Sequence, residues 1–145
     1  MSSDPPPSAG LPEFAPGPLS LGFDQLLGSE IIEAGPGRVH LRLVLTPAHH
    51  QPFGIVHGGV HAALAESAAS IAASLNAGRI AVGISNHTSF LRAVRDGVLD
   101  AVATPVHTGR RVQLWEVAIH RGEELVASSR VQLFVLGDPG QPGSA

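Results

Sequence analysis

HHQPFGIVHGGVHAALAES, residues 49–67, decides how this chain is read. It passes from a histidine pair through Pro52 and Gly54 into a run of alanines that holds one carboxylate, Glu66. With successive residues about 100° apart, Glu66, Ser67, Ser70 and Ser74 share one arc with Gly59 and Ala63. The remaining positions are Val60, Leu64, Ala65, Ala68, Ala69, Ile71, Ala72 and Leu75, with His61 the one polar intruder. A helix that is apolar nearly all round is a buried helix. The pattern predicts one from about Gly58 to Asn76, ending before Gly78 as a C-cap.

Exposed helix faces usually carry several charges, and this arc has no Lys or Arg. Glu66 therefore reads as a group held in a cleft, against the plainer reading of a solvated polar face. The first N–H groups of a helix lack intrahelical partners and carry partial positive charge. Gly58 and Gly59 leave them unshielded, so an oxyanion could bind there; equally, two glycines allow a tight turn into the helix. Gly58 and Glu66 are eight residues apart, about 12 Å along a helix. If both act on one small group, the helix start must come from one subunit and Glu66 from another.

The rest of the chain frames that segment. Its 145 residues suffice for one domain with one core. The composition is 43% hydrophobic and only 14% charged, which suggests surface buried between subunits. A net charge of −3 gives no bulk attraction to nucleic acid. The absence of cysteine excludes disulfides, thiol catalysis and thiolate metal sites. The N-terminus has neither a basic nor an apolar signal region, and no apolar run reaches the ~18 residues of a membrane span. A cytoplasmic protein without a membrane partner is expected. Residues 1–18, rich in Pro, Ser and Gly, read as a disordered arm and 137–145 as a flexible tail. The folded domain is expected over 19–136.

Within that span, LSLGFDQLLG predicts one or two helical turns ending at Gly28. The turn GPG at 35–37 joins two apolar runs as a hairpin. Val39, Leu41, Leu43 and Leu45 alternate with Arg38, His40 and Arg42, the period of a half-buried strand. Strands are expected at Ile80–Val94, Val98–His107, Arg111–Arg121 and Leu125–Leu136, separated by Asp96-Gly97, Thr108-Gly109 and Arg121-Gly122. One long helix beside an antiparallel meander is an α+β pattern.

Gln51-Pro52-Phe53-Gly54, then His57-Gly58-Gly59, then Ala65-Glu66-Ser67, resemble the hotdog-fold acyl-CoA thioesterases. The branch most similar is that of 4-hydroxybenzoyl-CoA and dihydroxynaphthoyl-CoA thioesterases, whose helix acid is glutamate. LRAVRDG, PVHTGRR, VQLWEV and ELVASSRVQLFVL carry the likeness through nearly all of the chain between its two ends. The resemblance implies a hotdog fold, a long central helix wrapped by a five- or six-stranded antiparallel sheet. It also implies a homo-oligomer, a dimer or dimer of dimers, with composite sites. Glu66 matches the catalytic carboxylate and Gly58 the glycine whose N–H polarises the thioester carbonyl. Gln51 and His57 match side chains lining that site, and Ser70 a small hydroxyl residue near the attacked carbon. Phe53 and Gly59, with Arg92 and the turn His107-Thr108-Gly109-Arg110, are the expected substrate and CoA contacts. Arginine suits bidentate phosphate binding, though any single arginine here can be an ordinary solvated residue. Ser89-Phe90 departs from the Asn-His usual before Leu-Arg, so the local contact differs or another residue such as His87 supplies it.

Thioester hydrolysis needs a polarised carbonyl. It also needs a nucleophile, either Glu66 itself or a water that Glu66 deprotonates. No G-x-S-x-G elbow is present. No cofactor is expected, CoA being part of the substrate. A metal site is weighed on the i, i+4 pair His57 and His61 with His49 or His50, but there is no H-E-x-x-H and none is expected. A non-catalytic acyl-CoA-binding protein of the same fold is the alternative, and a dehydratase a third. Phe53 and Phe90 could line an acyl pocket. Trp115 reads as packing, His61 as a partly buried helix residue, and His40 and His120 as strand-face residues.

Overall fold

The computed structural model describes residues 10–137. The expected arm over 1–9 and the tail over 138–145 lie outside the described residues. Strand β1 is Gly17–Pro18, followed by helix α1 (Gly22–Leu27), β2 (Glu30–Gly35) and β3 (Arg38–Val44). A 3-10 turn (Pro47–His49) leads to helix α2 (Gly58–Ala77). Then come β4 (Ala81–Phe90), β5 (Val98–Thr108), β6 (Val112–Arg121) and β7 (Glu124–Val135). All pairings are antiparallel, in the order β1-β2-β3-β5-β6-β7-β4. This is the α+β hotdog arrangement, one long helix laid against a curved sheet.

The sheet has seven strands, more than the expected five or six. Gly17 pairs with Ile31 and Pro18 with Glu30. The sheet therefore begins two residues before the expected domain boundary at Leu19. Pro18 cannot donate to a ladder and sits where Pro is tolerated, on an outer strand. Phe14, earlier still, packs against the core.

Local chemistry accounts for the other elements. Gly28 at φ 90° ends α1, and Gly78 at φ 67° ends α2; both conformations favour glycine. Val39, Leu41 and Leu43 are buried on β3 while His40 and Arg42 face outward to Asp100 on β5, at 2.6 and 2.9 Å. The core lies between α2 and the sheet. Leu64, Ala65, Ala68, Ala69, Ala72 and Ala73 are sealed in it, as is Trp115. The Trp115 indole N–H donates to Gln113 Oε1 at 2.8 Å, so this side chain is core packing with its one polar group satisfied.

Ser74 departs from the polar arc read off the sequence. It is buried, and its Oγ accepts the Ala81 N–H at 2.9 Å, tying the end of α2 to the start of β4. β4 is the last strand of the sheet, with Val82 and Ile84 exposed. Among the described residues its second edge has no partner strand. No described helix is long and apolar enough to cross a membrane.

Among the small residues of α2, Leu64 is the large aliphatic with no exposure, beside Val60 and Ile71, and it anchors the helix. Leu64→Ala is expected to cost about 2–5 kcal/mol in urea unfolding, without changing the strand content seen by circular dichroism.

Candidate active site

The approach to α2 is a folded loop rather than a free connection. His50 bridges Val56, the Gln51 N–H donates to Ile55 O at 2.9 Å, and Gly54 closes the turn at φ 79°. Gln51 Oε1 accepts the Phe53 N–H, which leaves the amide NH2 of Gln51 as its remaining donor. Val56 N–H donates to Val94 O at 2.7 Å and His57 N–H to His49 O at 2.9 Å, fixing both sides of the loop. The buried His49 completes it, with Nδ1 accepting from Thr46 N–H at 3.0 Å and Nε2 2.7 Å from Leu27 O.

His57 is the N-cap of α2. Its Nδ1 accepts the Gly59 N–H at 2.7 Å, and its carbonyl accepts the Val60 N–H at 2.9 Å. Gly59 is thus occupied by the cap, whereas the Gly58 N–H has no partner among the described residues. Gly58 is also bare for a steric reason: a Cβ there would lie 2.5 Å from the Phe90 ring. The helix start opens on a cavity of about 350 Å³ lined by Gln51, Gly58, His61, Phe90 and Arg92 among apolar neighbours.

His61, read from the sequence as a partly buried helix residue, is only 2% exposed. Its ring centroid is 5.9 Å from that of Phe90, and its Nδ1 has no hydrogen-bond partner. Burial holds its pKa below the ordinary value. Of the pair weighed as metal ligands, His57 has its Nδ1 taken up by the Gly59 N–H.

Glu66 does not line this cavity. It is exposed two turns further along α2, beside Gly83 of β4, where a Cβ would lie 2.5 Å from Oε1. Among the described residues it has neither an ion-pair nor a hydrogen-bond partner. Its neighbour Ser67 donates to Asp24 Oδ1 at 2.5 Å, and Ser70 is half-buried one turn on.

The substrate residues expected from the sequence divide between the two ends of the sheet. Arg92 follows Phe90, which pairs with Ala127, then Ile119 and Ala101 on successive strands. Thr108 pairs with Gln113, then Leu133 and Gly83. Seven residues of β5 separate those two rows, about 23 Å. In one chain Arg92 lies at the Gly58 end, and His107, Thr108, Gly109 and Arg110 at the Glu66 end. The His107 ring folds over Gly109, where a Cβ would meet its Nε2 at 2.9 Å. Phe53 is 84% exposed at the loop tip and is not part of the cavity wall. His87, offered as a substitute for the missing histidine, alternates with Asn86 and Thr88. Asn86 is the one that reaches α2, donating to Ala62 O at 2.9 Å, so His87 points off the opposite face.

Gly83 and Asn86 are not singled out by the sequence as site residues, and His61 is weighed there only as a metal ligand. Gly83 carried a usable signal, since a glycine inside a strand marks a close approach. Asn86 carries none, and His61 only that of a polar residue on an apolar helix, because their roles depend on how α2 lies over β4.

Residues 53–128 match the thioesterase superfamily. The chain is 39% identical over 127 residues to a proposed esterase of Mycobacterium tuberculosis, covering 82% of this chain and 91% of that protein. The solved structure of that protein superposes with a TM-score of 0.78, covering 83% of this chain and 98% of the other. A 1,4-dihydroxy-2-naphthoyl-CoA hydrolase of Listeria monocytogenes is 36% identical over 118 residues, 79% of this chain and 96% of that enzyme. A thioesterase structure from Haemophilus influenzae, 36% identical, has a TM-score of 0.74 over 80% of this chain and 83% of its own. The chain belongs to the thioesterase superfamily. Its enzyme class is thioester hydrolase.

The buried His61 gives a pH signature. Its lowered pKa means the unfolded chain takes up the proton first. Its penalty is absent above pH ~6.5, grows as pH falls toward the lowered folded value, and levels off below it. Urea midpoints measured from pH 8 to 5 should fall less steeply below 6.5 in His61→Phe than in the wild type. Parallel curves would contradict the assignment.

Proposed function

We propose that this protein hydrolyses a CoA thioester, of an aryl or similarly compact acid, to the free acid and CoA. The observation that supports this most is Glu66: an unpaired carboxylate held against a bare glycine on an edge strand. An ordinary surface glutamate needs no such clearance. At the start of the same helix, the unpartnered Gly58 N–H, with the Gln51 amide from the loop before it, offers donors to a carbonyl oxygen.

Glu66 and Gly58 are too far apart to serve one carbonyl in one chain. The reading therefore joins two copies as a homo-oligomer, with the helix start of one protomer facing Glu66 of the other. The unpaired edge of β4 and its exposed Val82 and Ile84 favour pairing there. Such pairing also reconciles the split CoA contacts: Arg92 from one protomer and the His107–Arg110 turn from another can hold one ligand. His57 fixes the helix start by capping Gly59, and Ser70 lies one turn beyond the carboxylate.

The thioester oxygen binds at Gly58 N–H and gains negative charge as oxygen attacks the carbonyl carbon. The attacking oxygen is that of Glu66, giving an anhydride that water then opens, or that of a water deprotonated by Glu66. In both routes the C–S bond breaks and the thiolate of CoA leaves, to be protonated. No resident cofactor takes part, and CoA enters only with the substrate.

Glu66→Ala should lower turnover about 100-fold or more across aryl- and alkyl-CoA thioesters in a thiol-release assay, with an unchanged melting temperature. Gly83→Ala should also lower kcat, by displacing the carboxylate. Wild-type turnover in Glu66→Ala would rule out the carboxylate route.

A further inference from the structure

His61 is the polar group in the cavity that hydrolysis leaves without a task. It follows Gly58 by one turn, and helical side chains lean toward the N-terminus, so its ring lies back toward the helix start. Its Nδ1 is sealed and unpartnered, and no hydrogen bond among the described residues reaches Nε2. A sealed N–H without an acceptor is rarer and costlier than a sealed lone pair. The proton therefore belongs on Nε2, and the ring offers an N–H to whatever occupies the cavity.

The other polar side chains there offer donors as well, the Gln51 amide NH2 and the Arg92 guanidinium, which also pairs with Glu124 at 3.5 Å, and the Gly58 N–H lies beside them. The remaining wall is apolar, including Phe90, Ile55 and Val56. One donor set suffices for the thioester carbonyl, and His61 remains for a second oxygen.

We infer that His61 is a specificity-determining residue, its Nε2–H bonding an acceptor oxygen carried on the acyl group, so that oxygen-bearing compact acyl groups are selected over hydrocarbon isosteres. This rests on the thioesterase reading above. Leaving a buried donor unpaired against an apolar isostere is expected to cost about 10- to 100-fold in kcat/KM.

The test compares 3- and 4-hydroxybenzoyl-CoA with 3- and 4-methylbenzoyl-CoA in the wild type and in His61→Phe. The wild type should favour a hydroxylated member by at least about tenfold. In His61→Phe the hydroxy-to-methyl ratio should fall toward one, whatever the change in overall turnover. An equal ratio in both proteins overturns the inference and leaves the thioesterase reading standing. Nitrogen-detected NMR of wild-type imidazoles, with the free hydroxy- and methylbenzoates, gives a readout independent of turnover and of the variant's folding. A proton on Nε2, with a shift of His61 by the hydroxy acid alone, supports the inference even if no thioester is cleaved, in which case only the thioesterase reading fails. A proton on Nδ1, or equal shifts by both acids, overturns it.

Discussion

The close approach of α2 to the edge strand β4 is the constraint on which the rest depends. The two elements run antiparallel, and three contacts mark their seam. Phe90 presses on bare Gly58, Asn86 donates to Ala62 O at 2.9 Å, and Glu66 lies on bare Gly83. Each contact needs a small residue or an open backbone group on one side. The alanines of the helix are therefore as specific as its one carboxylate: they let the strand come near enough for its side chains to shape the helix start and position the acid. Ser74, accepting from Ala81 N–H, fixes where the strand leaves the helix.

That seam also separates the chemistry. The cavity and the unpartnered Gly58 N–H lie at one end, and Glu66 with the His107–Arg110 turn at the other. On the proposed reading, one chain holds two half-sites rather than one site. The unpaired edge of β4 lies between them, so an antiparallel pairing of two such edges would bring the opposite halves together. The proposed assembly and the proposed catalysis thus follow from the same geometry.

Much of the fold was legible because it is written in strong periodicities. The small-residue run gave α2 to within a residue at its end, and the alternation on Val39, Leu41 and Leu43 gave β3. Strand β1 was hidden by composition: Pro and Gly at 17 and 18 look like linker, and only tertiary pairing with β2 makes them a strand. Helix periodicity put Ser74 on the polar arc, but the end of α2 is covered by the chain turning into β4. Spacing alone separated Gly58 from Glu66, because helix rise is a fixed quantity. It could not show that His57 caps Gly59, that Phe53 stands away from the cavity, or that His61 rather than His87 borders Phe90. Those facts depend on rotamers and on which face of β4 meets the helix.

The account's central claim is that Gly58 of one protomer and Glu66 of another act on one thioester. Mixed oligomers test it most directly. Protomers carrying Glu66→Ala are combined with protomers carrying Gln51→Ala, each nearly inactive alone. One composite site per mixed dimer would then carry both defects and the other neither, so mixing should restore about half the wild-type turnover per mixed dimer. Mixed dimers no more active than their parents would contradict the account.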